Sequence, residues 1–561
     1  MSSEPLGAGI EEPPNRNGAF PRLTEGQLDK LRAVGQTRAT QAGEVLFADG
    51  DESYDFFVVE QGFVAIVQDV GSERRVIAVH GRHRFLGELS LLTGTSAYLS
   101  AIVRDAGAVL QVPVARFRAL LADDEELSNI FLRAYLSRRS ILIDAEAGVR
   151  LVGSRYSRDT RRLREFLARN RMPYLWTDME LDPEAEALLE SMRIEPTETP
   201  IVIGAGGVLR NPSNAELGAT LGIGSRGAPP PMCDLVIVGG GPAGLAAAVY
   251  GASEGLDTQA IDAIALGGQA STSSRIENYL GFPAGISGSE LAERAALQAR
   301  KFGARLVVPA KATALRREDG HFAIETTTGE TINGRSLIVA TGAQYRKPDI
   351  PDLDRWEGEG VYYAATQAEA KMCEQDPVLI VGGGNSAGQA AMFLSQHAAS
   401  CKLVIRSGDL AHSMSRYLID ELERKPEVEL LTYSQVKQLH GEDRLEAVTV
   451  EDPRDGKRGE LPVRALFVFI GASPHTEWLD DQVATDEHGF LLTGRDVQGE
   501  HLLAYGGERP FFLETSVPGI FAVGDVHSGS IKRVASGVGE GSMCVRLVHQ
   551  RLEVGIHAQL P

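Results

Sequence analysis

Two glycine-rich stretches in this chain have the spacing that lets a backbone close around a dinucleotide pyrophosphate. In the first, the apolar run Asp234-Leu-Val-Ile-Val238 feeds Gly239-Gly-Gly241-Pro242-Ala243-Gly244, and an alanine-rich helical pattern follows. The three glycines differ in what they allow. Gly239 makes the tight turn, Gly241 lets the backbone approach the phosphates, and Gly244 lets helix pack closely on strand. The helix N-terminus then supplies N–H donors and the positive end of its dipole. A second strand pattern, Thr258–Ile261, ends at Asp262, where a carboxylate can accept ribose hydroxyl hydrogens. The other stretch, Val378-Leu-Ile-Val-Gly382-Gly-Gly384-Asn385-Ser386-Ala387, repeats strand, turn and helix about 140 residues on, with alanine for the last glycine. Its next strand, Lys402–Ile405, ends in Arg406-Ser407, and Arg416 lies ten residues further. A cation there suits the 2'-phosphate of NADP and offers nothing to a bare 2'-hydroxyl, so NADPH is the expected partner, with NADH possible.

Sulfur is scarce. The four cysteines, Cys233, Cys373, Cys401 and Cys544, are spaced by 140, 28 and 143 residues, so no C-x-x-C pair and no metal-type cluster exists. Each reads as a small buried apolar residue, and Cys373 lies in a polar, helix-like stretch. No metal site is expected.

At 561 residues the chain exceeds one core, and three or four domains are expected. The formal charge of -20 repels phosphate backbones and gives no support to nucleic-acid binding. No apolar run is long enough to span a bilayer and the N-terminus lacks a charged-then-apolar signal, so neither a membrane partner nor export is expected and a cytoplasmic protein is the default.

The elements that must position these groups follow in order. Residues 1–18, rich in Pro, Gly, Glu and Asn, read as a disordered tail. Residues 19–146 read as a β-barrel or jelly-roll with helices: short strands Glu44–Phe47, Asp55–Glu60, Phe63–Asp69, Arg75–Val79 and Ala108–Val112, then a helical stretch Val114–Ile143. A small βαβ-like α/β unit spans 147–221, and the Gly/Pro-rich 222–231 reads as a linker. Alternating strands and helices then imply two Rossmann-like α/β domains with parallel sheets.

From Cys233 onward the chain resembles the low-molecular-weight bacterial thioredoxin reductase family. Besides both fingerprints it has Gly267-Gly268-Gln269, Ile276-Glu-Asn278-Tyr279, Ala340-Thr341-Gly342, Leu466-Phe-Val-Phe-Ile-Gly471 with Ser473-Pro474, and Thr515-Ser-Val-Pro-Gly-Ile-Phe-Ala-Val-Gly524-Asp525. The resemblance implies a homodimer and an FAD domain in two pieces, 232–347 and 466–561, around an NAD(P)H domain at 348–465. It also implies that Asp525 meets the flavin's ribityl chain and that Arg533-Val534-Ala535 starts the helix facing the isoalloxazine. Where that family carries Cys-Ala-Thr-Cys, this chain reads Ala364-Ala-Thr-Gln367 after Gly360-Val-Tyr-Tyr363. Alanine and glutamine cannot form a thiolate adduct or exchange a disulfide, so no catalytic side chain is expected there. The family's second nucleotide-site arginine is replaced by Ser407.

The front of the chain carries two further resemblances. Val149–Thr160, the helix through Asn170, and Thr199-Pro-Ile-Val-Ile203 resemble a glutaredoxin-like, thioredoxin-fold domain. Pro200 would then be its cis-proline, and Ser157 and Thr160 would occupy its redox positions. Phe85-Leu-Gly87-Glu88-Leu89-Ser-Leu-Leu-Thr-Gly94 resembles the phosphate-binding cassette of cyclic-nucleotide-binding domains, with Glu88 on the ribose, but Leu99 stands where the cassette's arginine is expected. Losing that guanidinium removes a contact worth about 1.5–3 kcal/mol. No helix-turn-helix follows.

The leading expectation is an FAD-dependent NAD(P)H oxidoreductase that sends electrons to an unknown acceptor, small molecule or protein, without an internal dithiol. The alternatives are a redox- or ligand-responsive regulatory flavoprotein, and a thioredoxin-disulfide reductase working through Cys373.

Overall fold

Four sheet-based units follow one another in the computed structural model. It describes residues 9–554 apart from 52, 71–72, 93–95, 145–147, 183, 205–206, 224–230, 274–275, 277, 319, 358–359, 364, 366–369, 371–372, 374 and 443.

The first unit is an antiparallel barrel in the order Gln36–Thr40, Ser100–Val112, Phe56–Val70, Glu73–His80, with Val45–Phe47 and Phe85–Leu86 paired at its edges. The two short strands expected at Asp55–Glu60 and Phe63–Asp69 are one strand. Gly62, at φ +81, lets the chain bulge and continue, because a Cβ there would lie 2.4 Å from the Asp105 carbonyl oxygen. The single helical stretch expected after Val114 is two helices, Val114–Asp123 and Glu125–Asp144, broken at Asp124, whose carboxylate accepts from the Leu127 N–H at 3.0 Å. Under them Phe56, Phe85, Phe117 and Phe131 form an aromatic core, with Phe56 stacked on Phe117 at 4.0 Å. Residues 10–18, assigned by sequence to a disordered tail, strap onto the barrel instead: the Glu12 carboxylate takes the Gly81 N–H and ion-pairs with Arg22 and Arg84.

The second unit is a four-stranded sheet, Gly207–Arg210, Ile201–Gly204, Val149–Gly153, Tyr174–Asp178, with the strongly amphipathic helix Arg158–Arg169 burying Leu163, Phe166 and Leu167. Ser157 caps that helix, Thr160 is buried in its first turn, and the Thr199–Pro200 bond is cis. A Cβ on Gly153 would meet both Thr160 Oγ1 (2.4 Å) and Pro200 Cβ (2.9 Å), so these three residues pack together. The linker expected at 222–231 lies largely outside the described residues.

The third unit holds Arg305–Val307, Thr258–Ile261, Cys233–Val238 and Thr331–Val339 side by side, each parallel to its neighbour. The late strand Ile520–Ala522 joins the same sheet beside Leu337–Val339, which is how a domain split in sequence closes. The fourth unit is an all-parallel five-stranded sheet, Val361–Tyr362, Ala465–Val468, Pro377–Val381, Ser400–Val404, Val428–Leu431. An antiparallel ribbon, Ala343–Tyr345 against Ala472–Pro474, joins the two. The sequence-based boundary at 466 therefore shifts: Ala465–Val468 hydrogen-bonds within the fourth unit, and the chain returns to the third only across the ribbon.

Candidate active site

Backbone geometry does most of the building around the first fingerprint. Gly239 has φ +115, and a Cβ there would lie 2.2 Å from the Ala340 carbonyl oxygen; on Gly244 it would lie 1.9 Å from that of Gly239. Helix Pro242–Ser253 thus starts tight against the end of its strand, and its N-cap, Gly241, brings no side chain to the first-turn N–H groups. Those donors are available to an anion. Gly268, at φ +54, faces Gly241 so closely that a Cβ would lie 2.9 Å from its Cα. The Gln269 amide holds the Ala343 carbonyl, the Thr341 hydroxyl holds that of His475 at 2.8 Å, and Gly342 at φ +66 would point a Cβ into open space. Asn278 is exposed beside Tyr279.

Asp262 sits at the end of its strand, but its carboxylate accepts from Gly240 (2.8 Å), Ile264 (3.0 Å) and Ala265 (3.1 Å) N–H groups. It braces the fingerprint turn, and with about four lone-pair positions it retains room for a ribose hydroxyl. Asp525 lies in the turn after Ile520–Ala522, and burial pushes its carboxyl up. Sequence reading missed its neighbours: Glu540 accepts the Gly524 N–H at 2.6 Å and pairs with His527 at 3.1 Å. Helix Val534–Val554, which carries Glu540, begins directly after Arg533, and it crosses Pro242–Ser253 so tightly that a Cβ on Gly541 would touch the Ala243 carbonyl oxygen at 2.1 Å.

At the second fingerprint, Gly382 (φ +146) turns beneath the Phe469 carbonyl oxygen, and Gly384 caps helix Asn385–Leu394 without a side-chain bond. Ala387 is buried under it, while Asn385 and Ser386 are exposed. The Asn385 side-chain carbonyl oxygen takes the Ser415 N–H (2.7 Å) and hydroxyl (2.9 Å), tying the fingerprint to the loop carrying Arg416. Arg406 is exposed and forms no ion pair among the described residues, whereas Arg416 is paired with Asp420 at 2.8 Å. The geometry therefore favours Arg406 over Arg416 as the available cation.

Ala364 and Gln367 lie outside the described residues. The residue just before them, Tyr363, stacks on Tyr345 of the ribbon with centroids 5.3 Å apart, and its hydroxyl bonds Glu357. Burial, and the charge of Asp525, push the Tyr345 hydroxyl up to about 12, so it stays protonated. Lys532 lies 5.3 Å from both the Tyr345 and Phe490 rings. All four cysteines are buried. Cys373 packs with Ala370, Val378 and Cys401 in the core of the fourth unit, away from any role as an exposed nucleophile.

In the barrel, Glu88 is fully buried and bound to Arg138 at 2.6 Å, 50 residues later on the long helix, a partner that sequence reading missed. Gly87 (φ +106) starts the short helix that carries Glu88 and Leu89, and Leu99 is buried in the same wall. The next residue after Arg138, Arg139, faces the other way: with Tyr135 it binds Glu293 of the third unit, which also pairs with Arg171 of the second at 3.0 Å. Three units meet on one carboxylate.

Known proteins show the same division. The family described as pyridine nucleotide-disulphide oxidoreductase matches residues 233–541, and the cyclic nucleotide-binding domain family matches residues 37–124. Thioredoxin reductase from Mycoplasmopsis pulmonis is 31% identical over 321 residues, which is 57% of this chain and 97% of that protein. That from Treponema pallidum is 32% identical over 310 residues, 55% of this chain and 94% of it. The crystal structure of thioredoxin reductase from Streptococcus pyogenes is 29% identical with a TM-score of 0.51, covering 58% of this chain and 99% of that one. The chain is thus an oxidoreductase belonging to the pyridine nucleotide-disulphide oxidoreductase family. Within that family it is thioredoxin-reductase-like over its C-terminal part, with a cyclic nucleotide-binding domain in front. No described helix is long and apolar enough to cross a membrane, and no metal-type cluster occurs among the described residues.

Proposed function

We propose that the chain is an FAD-dependent NAD(P)H oxidoreductase whose electrons leave to an external acceptor without passing through an internal dithiol. FAD, when bound, would supply the two-electron chemistry. The chain's own residues bind and orient. Gly239, Gly241 and Gly244 with the open first turn of helix Pro242–Ser253 would hold a pyrophosphate, as would Gly382 and Gly384 with helix Asn385–Leu394. Asp262 would take a ribose hydroxyl beside its backbone bonds. Asp525, half-buried and without a hydrogen-bond donor among the described residues, would take the ribityl chain. Arg406 would meet a 2'-phosphate.

The observation that carries the reading is a pair of uncapped fingerprint helices in a chain whose four cysteines are all buried and nowhere spaced as C-x-x-C. Such an acceptor could be a quinone, dioxygen, a small disulfide or a partner's metal centre. A homodimer, free of membrane or nucleic acid and cytoplasmic, belongs to the same reading. Anaerobic mixing of the purified flavoprotein with NADPH or NADH tests it. Bleaching of the flavin band, with no turnover of thioredoxin-type disulfides afterwards, is expected; a flavin that never bleaches ends it.

The Glu293 junction supports a second reading, a flavoprotein regulated through its barrel. One ionic cluster ties the barrel's last helix to helix Gly288–Lys301, which packs so closely on the Gly268–Thr272 turn that a Cβ on Gly288 would lie 1.6 Å from the Ala270 carbonyl oxygen. Very slow reoxidation with every acceptor would favour it. Reduction of thioredoxin through Cys373 has little support, since that thiol is buried.

A further inference from the structure

Arg300, on helix Gly288–Lys301, is half-buried, and its guanidinium makes no hydrogen bond and no ion pair among the described residues. No carboxylate nearby is free to serve it. On one side Arg300 lines a cavity of about 90 Å³, partly open to solvent, together with Arg139, Arg171 and Glu293. Glu293 is already taken up there by Arg139 at 3.2 Å, by Arg171 at 3.0 Å and by the Tyr135 hydroxyl, which donates to it. On its other side lies a larger cavity that also carries Arg118, Arg294, Lys301 and Arg305 and, among the described residues, no acid. In a chain of net charge -20 that is a local reversal of sign. An arginine cannot escape by shedding its proton: burial pulls Arg300 down to about 10, still charged at neutral pH. A buried charge left without a counter-ion is costly, so this one calls for an anion.

We propose that the cavity at this junction binds a small tetrahedral dianion of the phosphate or sulfate class, held by Arg300. Charge sets the first limit. Arg139, Arg171 and Arg300 bring three positive charges against the one negative charge of Glu293, which leaves two; Arg169, on the same wall, has its own partner in Glu165. A dianion closes that balance and a monoanion does not. Size sets the second limit. At about 30 Å³ per water the cavity has room for about three waters, which suits an oxyanion of five heavy atoms and excludes a nucleotide. Donor supply sets the third. Arg139 already donates to the Tyr135 hydroxyl and to the Arg171 and Asn170 carbonyls, so it contributes charge more than free N–H groups. Arg300 keeps its whole planar fork available, the geometry that matches two oxygens of an oxyanion at once. The three arginines come one each from the barrel's last helix, the second unit and the third. A bound dianion would therefore add a counter-charge shared by all three units, at a site that exists only while they are docked. None of this depends on the flavin reading of the C-terminal units.

Calorimetric titration of the full-length protein tests this, with sodium phosphate, sodium sulfate and sodium nitrate as probes in Tris-chloride of matched ionic strength. At about pH 8 phosphate and sulfate are both dianions, and nitrate is a planar monoanion. Phosphate, sulfate or both should bind with Kd below about 1 mM, and nitrate at least about tenfold more weakly. Arg300→Gln removes an unpartnered charge, so it should fold, and it should weaken the dianion about tenfold or more. Arg406→Ala, at the second fingerprint, should leave that affinity within about twofold. The proposal is overturned if neither dianion binds, if nitrate binds as tightly, or if Arg300→Gln leaves the affinity unchanged. It is equally overturned if Arg406→Ala weakens binding as much as Arg300→Gln, which would place the ion at the nucleotide fingerprint. Should Arg300→Gln not fold, Arg300→Lys decides in its place: it keeps the charge and loses the planar fork, so a loss of about threefold or more is expected and an unchanged Kd overturns the proposal.

Discussion

In the two dinucleotide units, the groups that would meet a ligand are mostly backbone N–H groups at helix ends, framed by Gly239, Gly244 and Gly382, where a Cβ has no room. In the barrel the pocket is lined by side chains, Glu88, Arg138, His80 and Leu99 among them. A site made of backbone changes only when a glycine gains an atom, so it persists while the sequence around it drifts. A site made of side chains changes character with one substitution. The same contrast holds at 364–367, where side-chain sulfur is absent between two intact glycine fingerprints.

The comparison can be broken most directly at Gly244. Gly244→Ala places a methyl 1.9 Å from a backbone carbonyl oxygen that cannot move without opening the strand–helix turn. Loss of the folded flavin unit is expected, read as absent flavin absorbance and absent soluble protein; a stable, yellow Gly244→Ala protein would show that the backbone frame is softer than argued. Next in size is Glu293→Ala, which strands Arg139 and Arg171 at the junction of three units. About 3–5 kcal/mol of stability should be lost, seen as a lower urea midpoint, because breaking a buried ion pair leaves the opposite charges uncompensated.

A smaller effect separates the two arginines at the second fingerprint. Arg406→Ala should cut the preference for NADPH over NADH about tenfold or more, through KM for NADPH, by removing a charge-assisted phosphate contact. Arg416→Ala should change it less than about twofold, since Arg416 is exposed and already paired with Asp420. Equal effects from both would mean that the loop closes over the nucleotide and recruits Arg416.

What the sequence made legible divides along the same line. Both fingerprints, Asp262 and the strand–helix order are written in short windows, because a glycine turn is a local event. The continuous strand Phe56–Val70 was hidden because Gly62 looks like a turn when read alone, and only its tight packing on Asp105 reveals a bulge. The place of Ala465–Val468 was hidden because an apolar run does not say which sheet it joins. Arg138 and Glu293 were out of reach altogether. Their partners lie 50 and up to 158 residues away, and a buried charge carries no periodic signature until the fold brings its counter-ion to it.

The mildest prediction asks whether a side-chain pair helps hold the backbone site at Gly524. Burial alone would lower the His527 pKa, but the Glu540 carboxylate outweighs it and the net shift is upward. Burial alone would raise the Glu540 carboxyl, but bonds from His527 and the Gly524 N–H outweigh it and the net shift is downward. The His527 contribution is complete below the unfolded histidine value of about 6.5 and is lost as pH rises through the higher folded value. The Glu540 contribution is complete above the unfolded carboxyl value of about 4.3 and is lost as pH falls through the lower folded value. The pair should therefore stabilise most between about pH 4.5 and 6.5 and weaken on both sides. His527→Gln should lower Tm by about 1–2 °C inside that window and by less above it, measured as Tm against pH. A deficit that is the same at every pH would mean that His527 acts through packing alone, and that the turn at Asp525 stands on its backbone without help from charge.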